Sequence, residues 1–246
     1  MKKIDIQKNI FDKYGRSEEY LSNRYPKNYF DYYIDIGTRG ICNPWHINFM
    51  ATKSPDTLFL GYEPDIPYYN ELVECIKKQN ISNVRLHKEG LGAGEKIKIP
   101  ESKSDREREP HYRSRWTFAN TVRLTDIFDK YNLNPNSRWG FKSDCEGGEY
   151  SLMEEASAKC VNILKHADHI AIEFHTTASR TFNNFFSIHN PLPSNFDLAE
   201  EWMHKNFSTS HTIMQTDTSG KKLRTYVIVS DKIMAEKDSL FWGDLL

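Results

Sequence analysis

The sequence has few of the features that mark specialised classes of protein. Its four cysteines form no C-x-x-C pair, so neither a disulfide framework nor a structural zinc site is predicted, and a reducing compartment is expected. The opening stretch MKKIDIQKNIFDKYG has no apolar segment of the kind that a secretory signal needs. No apolar run reaches the about 20 residues of a membrane span. We therefore expect a cytoplasmic protein.

The chain also has no excess of charge of either sign. Lys and Arg number 33 and Asp and Glu number 34, which gives a formal net charge of −1. Dedicated nucleic-acid-binding proteins are normally basic, so no nucleic-acid partner is expected. A length of 246 residues, with 38% hydrophobic and 13% aromatic residues, is enough to bury one sizeable core. Nothing in the sequence indicates an oligomeric state.

Short apolar segments that end in glycine or an acid alternate with amphipathic segments along the chain. This alternation predicts βαβ units and an α/β fold with a doubly wound, mostly parallel sheet. The segments 211–216 and 223–230 flank the turn-rich sequence DTSGKK and predict a closing antiparallel hairpin. We predict a single domain over 29–246, preceded by a helical extension over 1–28. The highly charged stretch 101–116 is predicted to be an insertion.

Ligands of an open parallel sheet bind beyond the carboxyl ends of its strands, and three such ends are informative here. After the first strand, the glycines of Asp35-Ile36-Gly37-Thr38-Arg39-Gly40 either let the backbone approach a ligand or serve only a tight turn. The second strand ends at Glu63, whose carboxylate could accept hydrogen bonds from both ribose hydroxyls, whereas Asp65 is predicted to cap the next helix. After the third strand, the predicted turn Glu89-Gly90-Leu91-Gly92 suits a purine.

A glycine turn and a ribose-binding acid serve nicotinamide dinucleotides and S-adenosylmethionine alike. The dinucleotide fingerprint requires G-x-G-x-x-G, whereas this loop contains only G-T-R-G. An aspartate two residues before the glycine, without a second glycine two residues after it, favours S-adenosylmethionine, which has an amino-acid end instead of a pyrophosphate. A nicotinamide-dependent oxidoreductase and a non-catalytic binding protein on the same fold are the alternatives.

The stretch FKSDCEGGEYSLM resembles the motif K-I-D-V-E-G-A-E, followed by a helix, of the FkbM-type methyltransferases. Further matches occur in the family's order: IDIG at 34–37, YEP at 62–64, VRLHKEGLGAGE at 84–95, TVRLTDIF at 121–128 and IAIEFH at 170–175. The resemblance covers about 30–175. It implies the seven-stranded Rossmann-like fold of class I S-adenosylmethionine-dependent methyltransferases, and O-methylation of a hydroxyl on a sugar, a glycan or another small molecule.

The resemblance also implies which residues form the site. The cofactor contacts would be Asp35, Gly37, Glu63 and the turn Glu89, Gly90 and Leu91, and we add Arg39 and Gly40 of the first loop. The remaining motif residues would be Lys142, Asp144, Glu146, Glu149, Glu173 and His175.

Chemical roles on the acceptor side follow from the requirements of methyl transfer. The methyl group and the acceptor oxygen must be held in line, and an alcohol must lose its proton. His175 is a candidate base because an ordinary histidine has a pKa of about 6.5. Strand alternation places Glu173 on the same face as His175, and Asp144 ends the preceding strand. We predict that these three residues are catalytic, and that Glu149 stabilises or caps the helix that follows it.

A divalent cation such as Mg²⁺ is an alternative occupant of this position. Asp144, Glu146, Glu173 and His175 offer the oxygen and imidazole ligands that such ions accept. Some class I O-methyltransferases use magnesium to hold the acceptor oxygen. The same side chains can equally form a hydrogen-bonded cluster, and no metal is expected.

Overall fold

The structure, a computed structural model, describes residues 25–38, 50–100, 116–145, 147–154, 158–175, 196–217 and 223–235. The strands are β1 (Tyr32–Ile36), β2 (Leu58–Tyr62), β3 (Val84–His87), β4 (Glu89–Leu91), β5 (Lys96–Pro100), β6 (Trp116–Val122), β7 (Trp139–Ser143), β8 (His169–His175), β9 (His211–Asp217) and β10 (Leu223–Ser230). The α-helices are α1 (Met50–Lys53), α2 (Ile66–Lys78), α3 (Leu124–Tyr131), α4 (Ser151–Glu154), α5 (Ala158–Leu164), α6 (Phe196–Phe207) and α7 (Asp231–Ala235). A 3₁₀ turn, Gly148–Tyr150, precedes α4.

Seven of these strands form one sheet in the order β3-β2-β1-β7-β8-β10-β9. The five strands from β3 to β8 in that order pair in parallel, and β10 is antiparallel to both β8 and β9. The order reverses between β1 and β7, which is where open α/β sheets bind ligands. The predicted doubly wound, mostly parallel sheet with a closing antiparallel hairpin is thus confirmed. The predicted domain limits remain predictions.

The sheet has an apolar core on each face because alternate side chains of its buried strands point to opposite sides. The larger core packs Ile34, Phe141 and Ile172 of the strands against α3, α5 and α6. The smaller core packs Tyr33 and Ala171 against the segment before β1 and against α1 and α7. Within the described residues, no helix has both the length and the apolar composition that crossing a bilayer requires.

One local prediction is wrong. Glu89–Leu91, expected as a turn, is the short strand β4 of a second, three-stranded sheet of order β4-β6-β5. It pairs in parallel with β6, from Glu89 opposite Asn120 to Leu91 opposite Val122. Hydrogen bonds to β6 satisfy backbone groups that in a glycine-rich turn are usually hydrogen-bonded to water. Because β6 is remote in sequence, the local pattern did not indicate this pairing. The predicted charged insertion lies outside the described residues except for Trp116, which begins β6.

Candidate active site at the carboxyl ends of the strands

Gly37 brings the ends of β1, β2 and β7 into contact. Its backbone has φ +77°, and a Cβ built on it would stand 1.8 Å from the carbonyl oxygen of Asp144. Its N–H donates to Tyr62 O (2.9 Å), and Asp144 N–H donates to Ile36 O (3.0 Å). Only glycine allows this backbone conformation and this approach. Arg39 and Gly40, predicted as cofactor contacts, lie outside the described residues.

Asp35, the predicted acid of the first loop, forms a buried ion pair. Lys142 Nζ lies 3.3 Å from Asp35 Oδ1, with 9% of the lysine side chain and 1% of the aspartate side chain exposed. The same Nζ donates to Gly37 O at 3.4 Å. Burial raises the pKa of Asp35, and the lysine acts in the opposite direction. Asp35 and Lys142 therefore tie the ends of two neighbouring strands together below the Gly37 turn.

Glu63 lies at the tip of β2, as predicted, and is only 5% exposed. Its Oε1 accepts a hydrogen bond from Asp65 N–H (2.9 Å), which fixes the direction of the carboxylate. Asp65 in turn caps α2, because its Oδ1 accepts from Tyr68 N–H at 3.3 Å. The two acids thus divide their roles as the sequence predicts: Asp65 caps the helix and Glu63 remains at the strand end.

Strand β4 passes beside this tip and leads towards the end of β7. A Cβ built on Gly90 would lie 3.5 Å from Pro64 Cγ, and one built on Gly148 would lie 3.0 Å from Leu91 O. Glu89 is half-buried, and its Oε2 is a buried oxygen without a hydrogen-bond partner in the described part of the chain. A buried carboxylate oxygen normally has a donor, such as a hydroxyl or an amino group, as its partner. The predicted cofactor residues of β2 and β4 therefore lie side by side.

His175, the last residue of β8, is surrounded by carboxylates. Its Nδ1 lies 2.6 Å from Glu149 Oε1, and its Nε2 lies 3.1 Å from Glu173 Oε1 and 3.8 Å from Asp144 Oδ1. His175 is 4% exposed and Glu149 is 0% exposed, whereas 18% of the Asp144 side chain reaches solvent. The three predicted catalytic residues are thus brought together, with Glu149 as a fourth member. Glu146 lies outside the described residues.

The carboxylates determine the charge of this imidazole. Burial by itself lowers the pKa of His175, but Glu149, Glu173 and Asp144 more than compensate and raise the pKa to about 12. The carboxylates therefore favour the imidazolium form of His175, with a proton on each ring nitrogen, whereas burial raises the pKa of its partner Glu149. An imidazolium donates hydrogen bonds and has no lone pair with which to accept a proton.

Two neighbours fix the orientation of the cluster. Thr225 of β10, opposite Glu173 in the antiparallel ladder, donates from Oγ1 to Glu173 Oε2 at 3.3 Å and leaves Oε1 facing His175. Glu149 reaches the other side of the ring from the 3₁₀ turn. The prediction that Glu149 caps the following helix is wrong. Gly147, with φ +113°, turns the chain back after β7 so that Glu149 points inward. In the sequence, the adjacent glycines Gly147 and Gly148 just after β7 were the feature that could have indicated this turn.

Comparisons with solved structures agree with this architecture. A candidate rRNA methylase from Clostridium thermocellum superposes with a TM-score of 0.50 at 12% identity, covering 91% of this chain and 98% of its own. A candidate methyltransferase from Streptococcus mutans, in complex with S-adenosylhomocysteine (SAH), gives 0.47 at 13% identity, with 87% and 95% covered. The METTL16 methyltransferase domain gives 0.45 at 13% identity, with 85% and 63% covered. No protein-family profile and no curated protein matches the sequence.

The strand order and the likeness to the Clostridium protein define the class of fold. This chain has the Rossmann-like fold of methyltransferases, with a seven-stranded sheet and an antiparallel strand at its carboxyl-terminal side. Fold alone does not assign an activity, which depends on the residues of the site.

Proposed function

We propose that this chain is an S-adenosylmethionine-dependent methyltransferase that methylates a hydroxyl of a sugar, a glycan or another small molecule. The observation that carries the proposal is the placement of two groups of acids on either side of the Gly37 turn. Glu63 and Glu89 lie at the β2–β4 side of the turn. Asp144, Glu173 and His175 lie at the β7–β8 side.

The β2–β4 side fits an adenosyl group. Glu63 would accept hydrogen bonds from the ribose hydroxyls, because its carboxylate is held at the strand tip by Asp65 N–H. Glu89 Oε2 is a buried acceptor without a partner among the described residues, and a hydroxyl or amino group of the cofactor would satisfy it. Gly90 has no side chain and lies next to Pro64 at the strand end, so it would leave space beside Glu63 for the purine. S-adenosylmethionine supplies the methyl group on a positively charged sulfur.

The β7–β8 side fits an alcohol acceptor. In the transfer step the acceptor oxygen attacks the methyl carbon, the carbon–sulfur bond breaks, and the hydroxyl proton must leave. Asp144 has the most exposed side chain of the three, 18% against 10% for Glu173, so we assign it to accept that proton. His175, as an imidazolium, and Glu173 hold the Asp144 carboxylate and the acceptor in place. In this proposal the general base is therefore Asp144, and not His175 as the sequence suggested.

Calorimetry with SAH tests the cofactor site. We expect the wild-type chain to bind SAH, and Glu63→Ala to weaken binding by about 1–3 kcal/mol, because two charge-assisted hydrogen bonds to ribose are lost. Glu74→Ala is the matched control, since Glu74 is exposed on α2, and should bind as the wild type does. A folded wild-type chain that binds no SAH, or that is stabilised against heat by NAD instead, would overturn the proposal.

A labelling experiment tests the reaction and the acceptor. Incubating cell extract with the enzyme and methyl-labelled S-adenosylmethionine should give small molecules or glycans heavier by about 14 Da per methyl group. Asp144→Asn should lower the rate by about 10²–10⁴-fold while SAH still binds. Label found only in RNA would contradict the proposed acceptor. SAH binding without label in any fraction would favour a non-catalytic binding protein.

A further inference from the structure

The cluster at the carboxyl end of β8 has the geometry of a metal-binding site. One oxygen of Asp144, one oxygen of Glu173 and one nitrogen of His175 all lie within 4.8 Å of one another. Ligand atoms about 2.1 Å from a small divalent ion, at right angles, are about 3 Å apart. The separations of 3.1 Å and 3.8 Å from His175 Nε2 to the two carboxylates are close to that value. Small rotations of the carboxylates would complete the arrangement.

The two outer contacts of the cluster are those that metal ligands usually have. A histidine that binds a metal through one nitrogen normally donates its other N–H to a carboxylate, and a ligating carboxylate is itself hydrogen-bonded. Here Glu149 Oε1 lies 2.6 Å from His175 Nδ1, so that Nδ1 donates and Nε2 faces the carboxylates. Thr225 Oγ1 donates to Glu173 Oε2, which leaves Oε1 towards Nε2.

Glu149 adds a third carboxylate to the cluster, whose negative charge one imidazolium does not fully compensate. It is 0% exposed, and its Oε2 has no hydrogen-bond partner within the described residues. A buried carboxylate with an unsatisfied oxygen is costly unless a cation compensates it. A metal ion on His175 Nε2 would polarise the imidazole and strengthen the hydrogen bond from Nδ1 to Glu149.

We propose that Asp144, Glu173 and His175 bind a divalent first-row transition-metal ion, with Glu149 and Thr225 as positioning residues. The mixed set of one imidazole and two carboxylates favours such an ion over Ca²⁺, which takes six to eight oxygen ligands, and over Mg²⁺, which prefers oxygen. The exposed part of the Asp144 side chain gives an ion a path from solvent. This inference reverses the expectation from the sequence that no metal is needed.

The consequence for catalysis rests on the proposed methyltransferase function. A divalent ion held by these three residues would act as a Lewis acid towards an acceptor hydroxyl and would lower the pKa of that hydroxyl. Asp144 and Glu173 would then hold the ion rather than a proton. An acceptor with two neighbouring oxygens, such as a vicinal diol of a sugar, is the chemical class that such an ion would hold best.

Electron paramagnetic resonance of Mn²⁺ tests the site without any assay of activity. After treatment with a chelator and dialysis, the full-length chain should remove one equivalent of free Mn²⁺ from the spectrum. Zn²⁺ should displace the bound Mn²⁺ at lower concentration than Mg²⁺ or Ca²⁺ does. Failure of the folded wild-type chain to bind Mn²⁺ or Zn²⁺ at millimolar concentration would overturn the inference.

Variants identify the ligands. Glu173→Gln and Asp144→Asn should each weaken Mn²⁺ binding by at least tenfold, and Glu149→Gln by about 10–100-fold. Glu74→Gln removes the same charge from the exposed face of α2 and should leave binding unchanged. Asp144→Asn is the safer variant if Glu173→Gln does not fold, because Asp144 is partly exposed. Equal binding by the wild type and all variants would mean an adventitious surface ion and would overturn the site.

SAH calorimetry on the same samples separates the two proposals. SAH binding without Mn²⁺ binding would overturn the metal site and leave the methyltransferase proposal intact. Mn²⁺ binding without SAH binding would overturn the methyltransferase proposal and leave the metal site intact.

Discussion

The two ends of β8 hold histidines in opposite electrostatic surroundings. His169 and His175 lie on the same face of the sheet and are 0% and 4% exposed. The Tyr25 ring packs edge-on against His169 at 5.4 Å between centroids, and its hydroxyl lies 3.3 Å from Nδ1. Burial lowers the pKa of His169 to about 3. Burial also acts to lower the pKa of His175, but its carboxylate neighbours raise it to about 12.

This comparison shows that burial alone does not determine the charge of a histidine. The aromatic end of the face stabilises the fold with a neutral imidazole, whereas the carboxyl end concentrates charge where a ligand can use it. A histidine pKa raised strongly by neighbouring carboxylates is typical of functional sites, and structural ion pairs produce such shifts as well. Substitutions and changes of pH at the two ends should therefore affect stability differently.

The largest effect on stability is expected from removing a carboxylate that contacts His175. Glu149→Ala should lower the free energy of unfolding by about 3–5 kcal/mol in metal-free protein, because it leaves a buried imidazolium without its closest partner. Urea denaturation followed by circular dichroism measures the change. Glu74→Ala, on the exposed face of α2, should change stability by less than about 0.5 kcal/mol. A change as small for Glu149→Ala would mean that the pair with His175 is not formed.

Alkaline pH should weaken the same end more gradually. Because the pKa of His175 is raised in the folded state, its contribution to stability is complete below the unfolded-state pKa of about 6.5 and is lost as the pH rises towards the folded-state pKa. With a chelator present, this predicts a loss of up to about 1.4 kcal/mol per pH unit above neutrality. The wild-type chain should therefore lose more stability between pH 7 and 9 than His175→Gln does. Parallel stability curves for the two proteins would contradict the assignment.

Acidic pH should weaken the aromatic end instead. Because the pKa of His169 is lowered in the folded state, its contribution is complete above about pH 6.5 and is lost as the pH falls towards the folded-state pKa. Between pH 6.5 and 5 the wild-type chain should lose about 2 kcal/mol more than His169→Phe, which cannot titrate. The variant itself should cost about 1–3 kcal/mol at pH 7, since phenylalanine is larger than histidine and the site is fully buried. An equal acid response in both proteins would show that His169 is charged in the folded chain.

Much of this architecture could be predicted from local sequence pattern. The apolar segment that contains IAIEFH is strand β8, because an apolar run that is buried on both faces is typical of a parallel strand. The capping role of Asp65 could be predicted for a similar reason, since a cap acts within one turn of its own helix. Interactions that are local in the chain leave a local signal.

The rest depends on partners that are remote in sequence. Glu89–Leu91 looked like a turn because nothing nearby shows that β6 would pair with it. The role of Glu149 depends on the positive φ of Gly147, which turns its side chain from the helix start towards β8. The charge of His175 depends on three carboxylates from two other segments as well as its own strand. Residue type and spacing identified these positions as candidates, but their contacts could be seen only in the folded structure.

Gly37 packs against the carbonyl group of Asp144. This contact joins the β2–β4 side of the site to the β7–β8 side, so that neither can move without the other. A single methyl group at position 37 would clash with the carbonyl oxygen of Asp144 and push the end of β1, which carries Asp35, away from the end of β7. If the proposed function is right, binding of the methyl donor and reaction of the acceptor would then be lost together. Substitutions meant to change specificity should therefore be made away from this contact, and Gly37 should be kept.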